Sequence, residues 1–172
     1  MANIILGGGC FWCTQSVFLA VKGVQAVTAG YAGGNEDTAN YESVCTGQTD
    51  HVEVIQVIFD ECMIDLSVIL DIFFTTHDPT TLNRQGNDIG TQYASVIFYT
   101  DEKQLDVIND KINDLKANGV AVVTQVRPAP TFYPAEDYHQ NFFIKNPTQG
   151  YCNFAIPPKL VKLRANFEEY LK

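Results

Sequence analysis

Apolar residues fall in short blocks whose period changes along the chain. Asn3 to Leu6 is an apolar strand candidate that runs into Gly7-Gly8-Gly9 and then Cys10. From Cys10 to about Lys22, Phe11, Val17, Phe18 and Val21 recur near helical spacing, and Gly23 stops the helix. Val24 to Tyr31 reads as a strand closed by Gly33-Gly34, and a polar loop runs from Asn35 to about Thr49. Val52 to Phe59 is a strand too apolar for an edge with one solvated face. Leu66 to Thr76 is an apolar helix capped by Asp65, and His77 to Thr91 carries too much Pro, Asn, Asp and Gly to be regular. Tyr93 to Tyr99 is a strand. Asp101 to Asn118 is an amphipathic helix with Leu105, Ile108, Ile112 and Leu115 on one face, stopped by Asn118-Gly119. Val120 to Val126 is the last strand, and the remainder is loop and short helix ending in a helix from about Pro158 to Leu171.

The order is β-α-β-β-α-β followed by one more helix-strand pair. It predicts an α+β fold built on a split βαβ unit: a ferredoxin-like two-layer plait with a mixed sheet and a C-terminal extension. The fold alone assigns no function. The 172 residues suit one domain spanning 1–172, long enough to bury a core without metal or disulfide staples. A 46% apolar and 18% charged composition excludes a disordered tail, a coiled coil and a fibre. No apolar run reaches the roughly 20 residues of a membrane span, and the N-terminal residues lack the basic and long apolar regions of a secretory signal. With 11 Lys and Arg against 20 Asp and Glu, the charge is −9 and no basic patch is visible, so neither nucleic acid nor a membrane is an expected partner. Five cysteines, an odd number, fit an intracellular protein with working thiols better than a disulfide framework.

The chemistry concentrates in Gly7-Gly8-Gly9-Cys10-Phe11-Trp12-Cys13. Glycines after a strand allow a sharp turn and place Cys10 at or near a helix N-terminus, where free amides and the helix dipole favour a thiolate. A free cysteine of pKa about 8.5 is only a few per cent thiolate at pH 7, and a shift to about 7 makes it roughly half. The only Trp in the chain stands beside it and suggests an aromatic wall. Buried, inert cysteines in a tight turn are the bland alternative. Cys10 and Cys13 also form a CxxC, a spacing that suits a redox dithiol of thioredoxin-like type; no second CxxC or His pair follows to complete a zinc site.

Gly9-Cys10-Phe11-Trp12 resembles the signature of the A-type peptide methionine sulfoxide reductases. The resemblance continues through Gly30-Tyr31-Ala32-Gly33-Gly34, Tyr41 to Gly47, His51-Val52-Glu53-Val54, His77-Asp78-Pro79-Thr80 and Arg84 to Tyr93. Near the C-terminus it takes in Ala135 to Gln140, Lys145-Asn146-Pro147 and Gly150-Tyr151-Cys152. It implies that Cys10 attacks the sulfur of a methionine S-sulfoxide, free or protein-bound, with Glu53 as acid and Tyr41 and Tyr93 hydrogen-bonding the sulfoxide oxygen. It implies that Asp88 supports the surrounding loop and that Phe11 and Trp12 form an apolar pocket for the S-methyl group. Methionine and a Cys10 sulfenic acid would result. Cys152 occupies the family's common resolving position, in a Gly- and Asn-rich segment able to move, with Cys13 as the rival; thioredoxin would reopen the disulfide. His139 is expected to act through hydrogen bonding behind the site, and Cys45 to be a small buried residue. No cofactor is implied, and a cytoplasmic monomer is expected. The sequence departs from the family pattern at Asp50, Val52 and Ala94, and Thr148-Gln149 lengthens the approach to Gly150.

Overall fold

A computed structural model describes residues 1–172. In chain order the elements are β1 (Ala2–Gly8), α1 (Phe11–Leu19), β2 (Val24–Ala32), α2 (Tyr41–Val44), β3 (Val52–Phe59) and α3 (Leu66–Thr76). They continue with β4 (Arg84–Gln85), β5 (Asp88–Ile89), β6 (Ser95–Tyr99), α4 (Glu102–Ala117), β7 (Gln125–Pro128), β8 (Phe132–Pro134), α5 (Phe142–Lys145) and α6 (Gly150–Phe167). Six strands form one sheet in the order β7-β6-β1-β3-β2-β8, and β4 and β5 form a separate small hairpin. All neighbours in the large sheet are antiparallel except β6 and β7, the pair that α4 connects. The fold is a mixed-sheet α+β architecture.

Side-chain alternation divides the core. On β1, Ile4 and Leu6 join the main cluster under α1, α3 and α4, together with Ile55, Val57 and Phe59 of β3. Ile5, Val52 and Val54 face the other way, into a smaller cluster with Val96 and Phe98. This two-sided burial explains why β3 is continuously apolar. It also gives Glu53 the parity of Ile55 and Val57, on the helix-covered face beneath the start of α1.

Four expectations are corrected. Only Gln125–Pro128 pairs as β7, because residues 120–124 run past the sheet edge; Val123 instead donates its amide to the Pro79 carbonyl at 2.8 Å. Tyr93 ends a 3-10 turn, and the strand begins at Ser95. Asp65 occupies the N-cap position of α3 but makes no side-chain capping bond. The last helix begins at Gly150, not near Pro158, and holds Pro157 and Pro158 in its interior. Prolines there remove helix hydrogen bonds, and burial of Cys152, Ile156 and Leu163, one and then two turns apart on one face, holds the helix through them.

Candidate active site

The turn from β1 into α1 is shaped by two glycines. Gly9 has φ +93, and a Cβ there would come within 2.6 Å of the Gln85 side chain. A Cβ on Gly8 would press on Phe73 and His77. The chain therefore turns tightly and leaves Cys10 at the N-cap of α1, its carbonyl accepting the amides of Cys13 at 3.1 Å and Thr14 at 3.4 Å.

The thiol does not behave as a simple helix-terminus thiolate. Its hydrogen bond to Cys13, burial and the nearby Glu53 together push the Cys10 thiol well above the ordinary range. Cys13 moves the other way: it is lowered chiefly by the hydrogen bond from Cys10, with Lys159 and the Tyr151 hydroxyl acting in the same direction. The two thiols thus shift in opposite directions, and Cys10 is raised where a depressed thiol was expected.

Glu53 is 2% exposed and accepts the Phe11 amide at 3.1 Å. Burial raises its carboxyl to about 8, against that one hydrogen bond and with the charge of Asp88 adding to the rise. At pH 7 the acid is therefore predominantly protonated, a proton donor one residue from Cys10. Burial drives the Tyr41 and Tyr93 phenols up, and any ionised fraction of Glu53 would add to the rise, so both stay neutral donors.

Trp12 is held on every side. Its ring stacks on Phe142 with centroids 3.9 Å apart and planes 7° from parallel, while its indole N–H donates to His139 Nδ1 at 3.0 Å. Tyr41 packs on His139 at 4.3 Å, and Tyr151 meets Trp12 edge-on at 6.3 Å. The Phe11 ring, expected to wall a methyl pocket beside Trp12, is fully buried against Tyr31 and His139. It is core, and what Phe11 offers the site is its amide.

Asp88, on the β4–β5 hairpin, accepts the Tyr151 hydroxyl. A pocket of about 300 Å³ is lined by Gly8, Cys10, Cys13, Asp88, Tyr151 and Lys159. Cys152 has no exposed surface; it packs with Cys13 and Ile156, and Gln149 Oε1 caps its amide at 2.8 Å. Burial, then the charge on Cys13, pushes its thiol up to about 11. The expected mobile segment is therefore the first turn of a helix. All five cysteines are free, and Cys45, expected to be buried, is exposed.

Three residues of the site had no role assigned from sequence. Glu136 accepts the Tyr31 hydroxyl at 2.8 Å and the Tyr41 amide at 3.1 Å, which fixes where Tyr41 starts. Tyr151 bridges Trp12 and Asp88. Both lie in family-like segments, so a signal existed. Lys159 had none: its place after two prolines read as the start of a helix.

The family model described as peptide methionine sulfoxide reductase matches residues 2–171. A relative from Psychrobacter cryohalolentis named peptide methionine sulfoxide reductase MsrA is 64% identical over 171 residues, covering 99% of both chains. Among solved structures, reduced Mxr1 from Saccharomyces cerevisiae superposes with a TM-score of 0.82 at 34% identity, over 91% of this chain and 89% of that one. The same yeast protein in complex with Trx2 gives 0.57 at 25% identity, over 82% and 84%.

Proposed function

We propose a complete catalytic cycle for this chain, which belongs to the peptide methionine sulfoxide reductase family. It reduces methionine sulfoxide to methionine, and the observation that carries the site assignment is Glu53: a buried carboxyl, protonated near neutrality, bonded to the amide beside Cys10. Cys10, as thiolate, attacks the sulfoxide sulfur. Glu53 delivers its proton to the oxygen, and Tyr41 and Tyr93 donate hydrogen bonds to the same oxygen as the S–O bond breaks. Trp12 supplies the apolar wall for the S-methyl group, and Asp88 holds the β4–β5 hairpin against Tyr151. Methionine leaves, and Cys10 is left as a sulfenic acid.

Cys152 then attacks the Cys10 sulfur, expelling water and closing a disulfide; its burial requires the first turn of α6 to open. Thioredoxin is the reductant of this reading, supported by the solved complex of yeast Mxr1 with Trx2. The substrate is the S epimer, free or protein-bound. The frame is read as one domain on a ferredoxin-like plait, supported by the antiparallel order β6-β1-β3-β2 with α1 and α3 as crossovers. No helix is long and apolar enough to cross a membrane, and five free thiols suit a cytoplasmic setting.

The test is a single turnover without reductant. Reduced protein mixed with the S epimer should yield about one methionine per chain and a Cys10–Cys152 bridge, and the R epimer none. A Cys10–Cys13 bridge would instead make Cys13 the resolving thiol. No methionine from either epimer would remove Cys10 as the nucleophile.

A further inference from the structure

A second cavity, of about 540 Å³, opens beside the pocket that holds Cys10. The two share Gln85 and Gly86 of the β4–β5 hairpin and Lys159 of α6, so they form one groove between hairpin and helix. Gln85 makes the partition. Its Oε1 accepts the Asp78 amide at 3.0 Å and its Nε2 donates to the Asp78 carbonyl, which ties the hairpin to the segment after α3. Its Cβ and Cγ fill the space beside Gly9. The cycle above uses the inner pocket and gives the outer cavity no role.

The polar side chains of the outer wall are spent within the protein. His77 bonds the Phe73 carbonyl through Nδ1 and Ser95 through Nε2. The Thr76 hydroxyl donates to the Ile72 carbonyl at 2.8 Å. The Asp78 carboxylate accepts the amide of Thr80 at 2.9 Å and its hydroxyl. What is left is a pair of ammonium groups, Lys159 and Lys162. Lys159 is half-buried and donates once, to the Thr76 carbonyl at 2.7 Å, which leaves protons to spare. Lys162 stands exposed at the outer end, about one turn further along α6. Neither has a carboxylate within 4 Å, since the one ion pair in the molecule is Lys111 with Asp71. This holds in a chain with 20 Asp and Glu against 11 Lys and Arg. Burial, then the repulsion of Lys162, lowers the Lys159 ammonium against the pull of Cys13, Cys10 and Asp78. A carboxylate between the two lysines would relieve that repulsion.

We propose that the outer cavity is a subsite for a carboxylate of the oxidised peptide, either an acidic side chain or the chain's own C-terminus, with Lys159 and Lys162 as the specificity-determining residues. The inference rests on the reading that methionine sulfoxide is reduced at Cys10, and it names a class of peptide that the site favours. α6 sets the scale. Ala155 borders the inner pocket, and Lys159 and Lys162 follow at about 6 and 10 Å along the helix. An extended peptide advances about 3.3 Å per residue, so the carboxylate sits about two to four residues from the sulfoxide. A peptide laid in the groove reaches the lysines with one flank only, so an acid on the other flank gains nothing.

The experiment uses matched peptides, acetylated and amidated, with Glu or Gln at successive positions on either side of one methionine S-sulfoxide. Unamidated forms of varied length supply the C-terminal carboxylate. kcat/KM with dithiothreitol as reductant, and affinity by fluorescence anisotropy of labelled peptides, are read in the wild type, Lys159→Gln, Lys162→Gln, Lys162→Glu and Lys162→Arg. The quantity compared is the ratio of the Glu peptide to its Gln twin within each protein, which cancels any effect of a substitution on the catalytic turn. A part-exposed ion pair supports a preference of about fivefold. The wild type should therefore favour Glu about fivefold at its best position, on one flank, and the preference should fade at high salt. Either Lys→Gln variant should reduce it, Lys162→Glu should turn it below one, and Lys162→Arg should keep it. A preference for internal Glu assigns the subsite to acidic side chains, and one confined to unamidated peptides assigns it to chain ends. A ratio of one or less at every position in the wild type, or a preference that Lys162→Glu leaves in place, overturns the proposal. Absence of turnover with every peptide would instead refute the reductase reading, and the anisotropy ratios would still decide the subsite.

Discussion

Glu53 is a carboxyl with one backbone donor and almost no water, and both facts follow from its place on β3. Neighbouring residues of the same parity are Ile55 and Val57, so the strand aims a carboxyl into a layer otherwise filled by apolar side chains. The neutral form wins there. Two consequences have opposite signs. Activity needs the proton, so the acid-dependent step should weaken as pH rises through about 8. Glu53→Gln keeps an acceptor for the Phe11 amide but has no proton to give; methionine formation should fall about 100-fold or more, the usual range for a lost general acid. The stability of the variant moves the other way from its activity. The folded protein holds this proton more tightly than the unfolded chain, so Glu53 costs stability as pH rises from about 4.5 to about 8. Glu53→Gln should therefore melt above the wild type at pH 8.5, by an amount equivalent to roughly 3–5 kcal/mol at most, with the gap closing towards pH 5. Thermal melts at the two pH values check this; equal melting temperatures at high pH would mean the carboxyl is not buried neutral.

At the level of elements, the turn from β1 to α1 and the first turn of α6 bring the sulfurs together. Gly9→Ala would force an L side chain to φ +93 and against Gln85. Denaturant unfolding should show a loss of more than about 1 kcal/mol, and methionine formation should slow because Cys10 shifts with the turn. In α6 the Cys152 amide is capped by Gln149, and the thiol is sealed. Gln149→Ala removes that cap, worth about 0.5–2 kcal/mol at a helix start. Opening should become easier, so quenched-flow mapping should find faster disulfide closure behind an unchanged methionine burst. A slower closure would mean the cap holds Cys152 in its reacting position. These two turns differ in how legible they were. The glycine run, the CxxC and the apolar period of α1 all point the same way, so sequence placed Cys10 at a helix start. Around Cys152, Gly150, Asn153 and the two prolines each argue locally for loop, and helix wins only through burial of Ile156 and Leu163, which no local pattern announces. The same limit applies to Lys159, whose hydrogen-bond partner Thr76 is 83 residues away in sequence.

Taken as a whole molecule, the chain closes on itself at the far end of α1 from the site. Lys22 donates its amide to the Tyr170 carbonyl at 2.7 Å, Lys172 donates to Ala20 at 3.0 Å, and Leu171 bridges Val21. α1 is therefore pinned at both ends: by the Glu53–Phe11 bond where Cys10 sits, and by residues 170–172 where the helix stops. α6 packs across α1 and α3 between these two pins. If the pins are independent, the catalytic end should keep its geometry when the distal one is lost. Deleting residues 168–172 removes two backbone hydrogen bonds and the packing of Tyr170 and Leu171 on the main core. At about 0.5–1.5 kcal/mol net for each bond, and roughly 2–4 °C per kcal/mol for a chain of this size, the bonds alone account for about 2–12 °C in melting temperature. The methionine burst at low temperature should persist at about one per chain. Calorimetry and a single-turnover assay on the same sample separate the two. A burst lost from a protein that still melts cooperatively would show that the position of Cys10 depends on strain carried along the full length of α1.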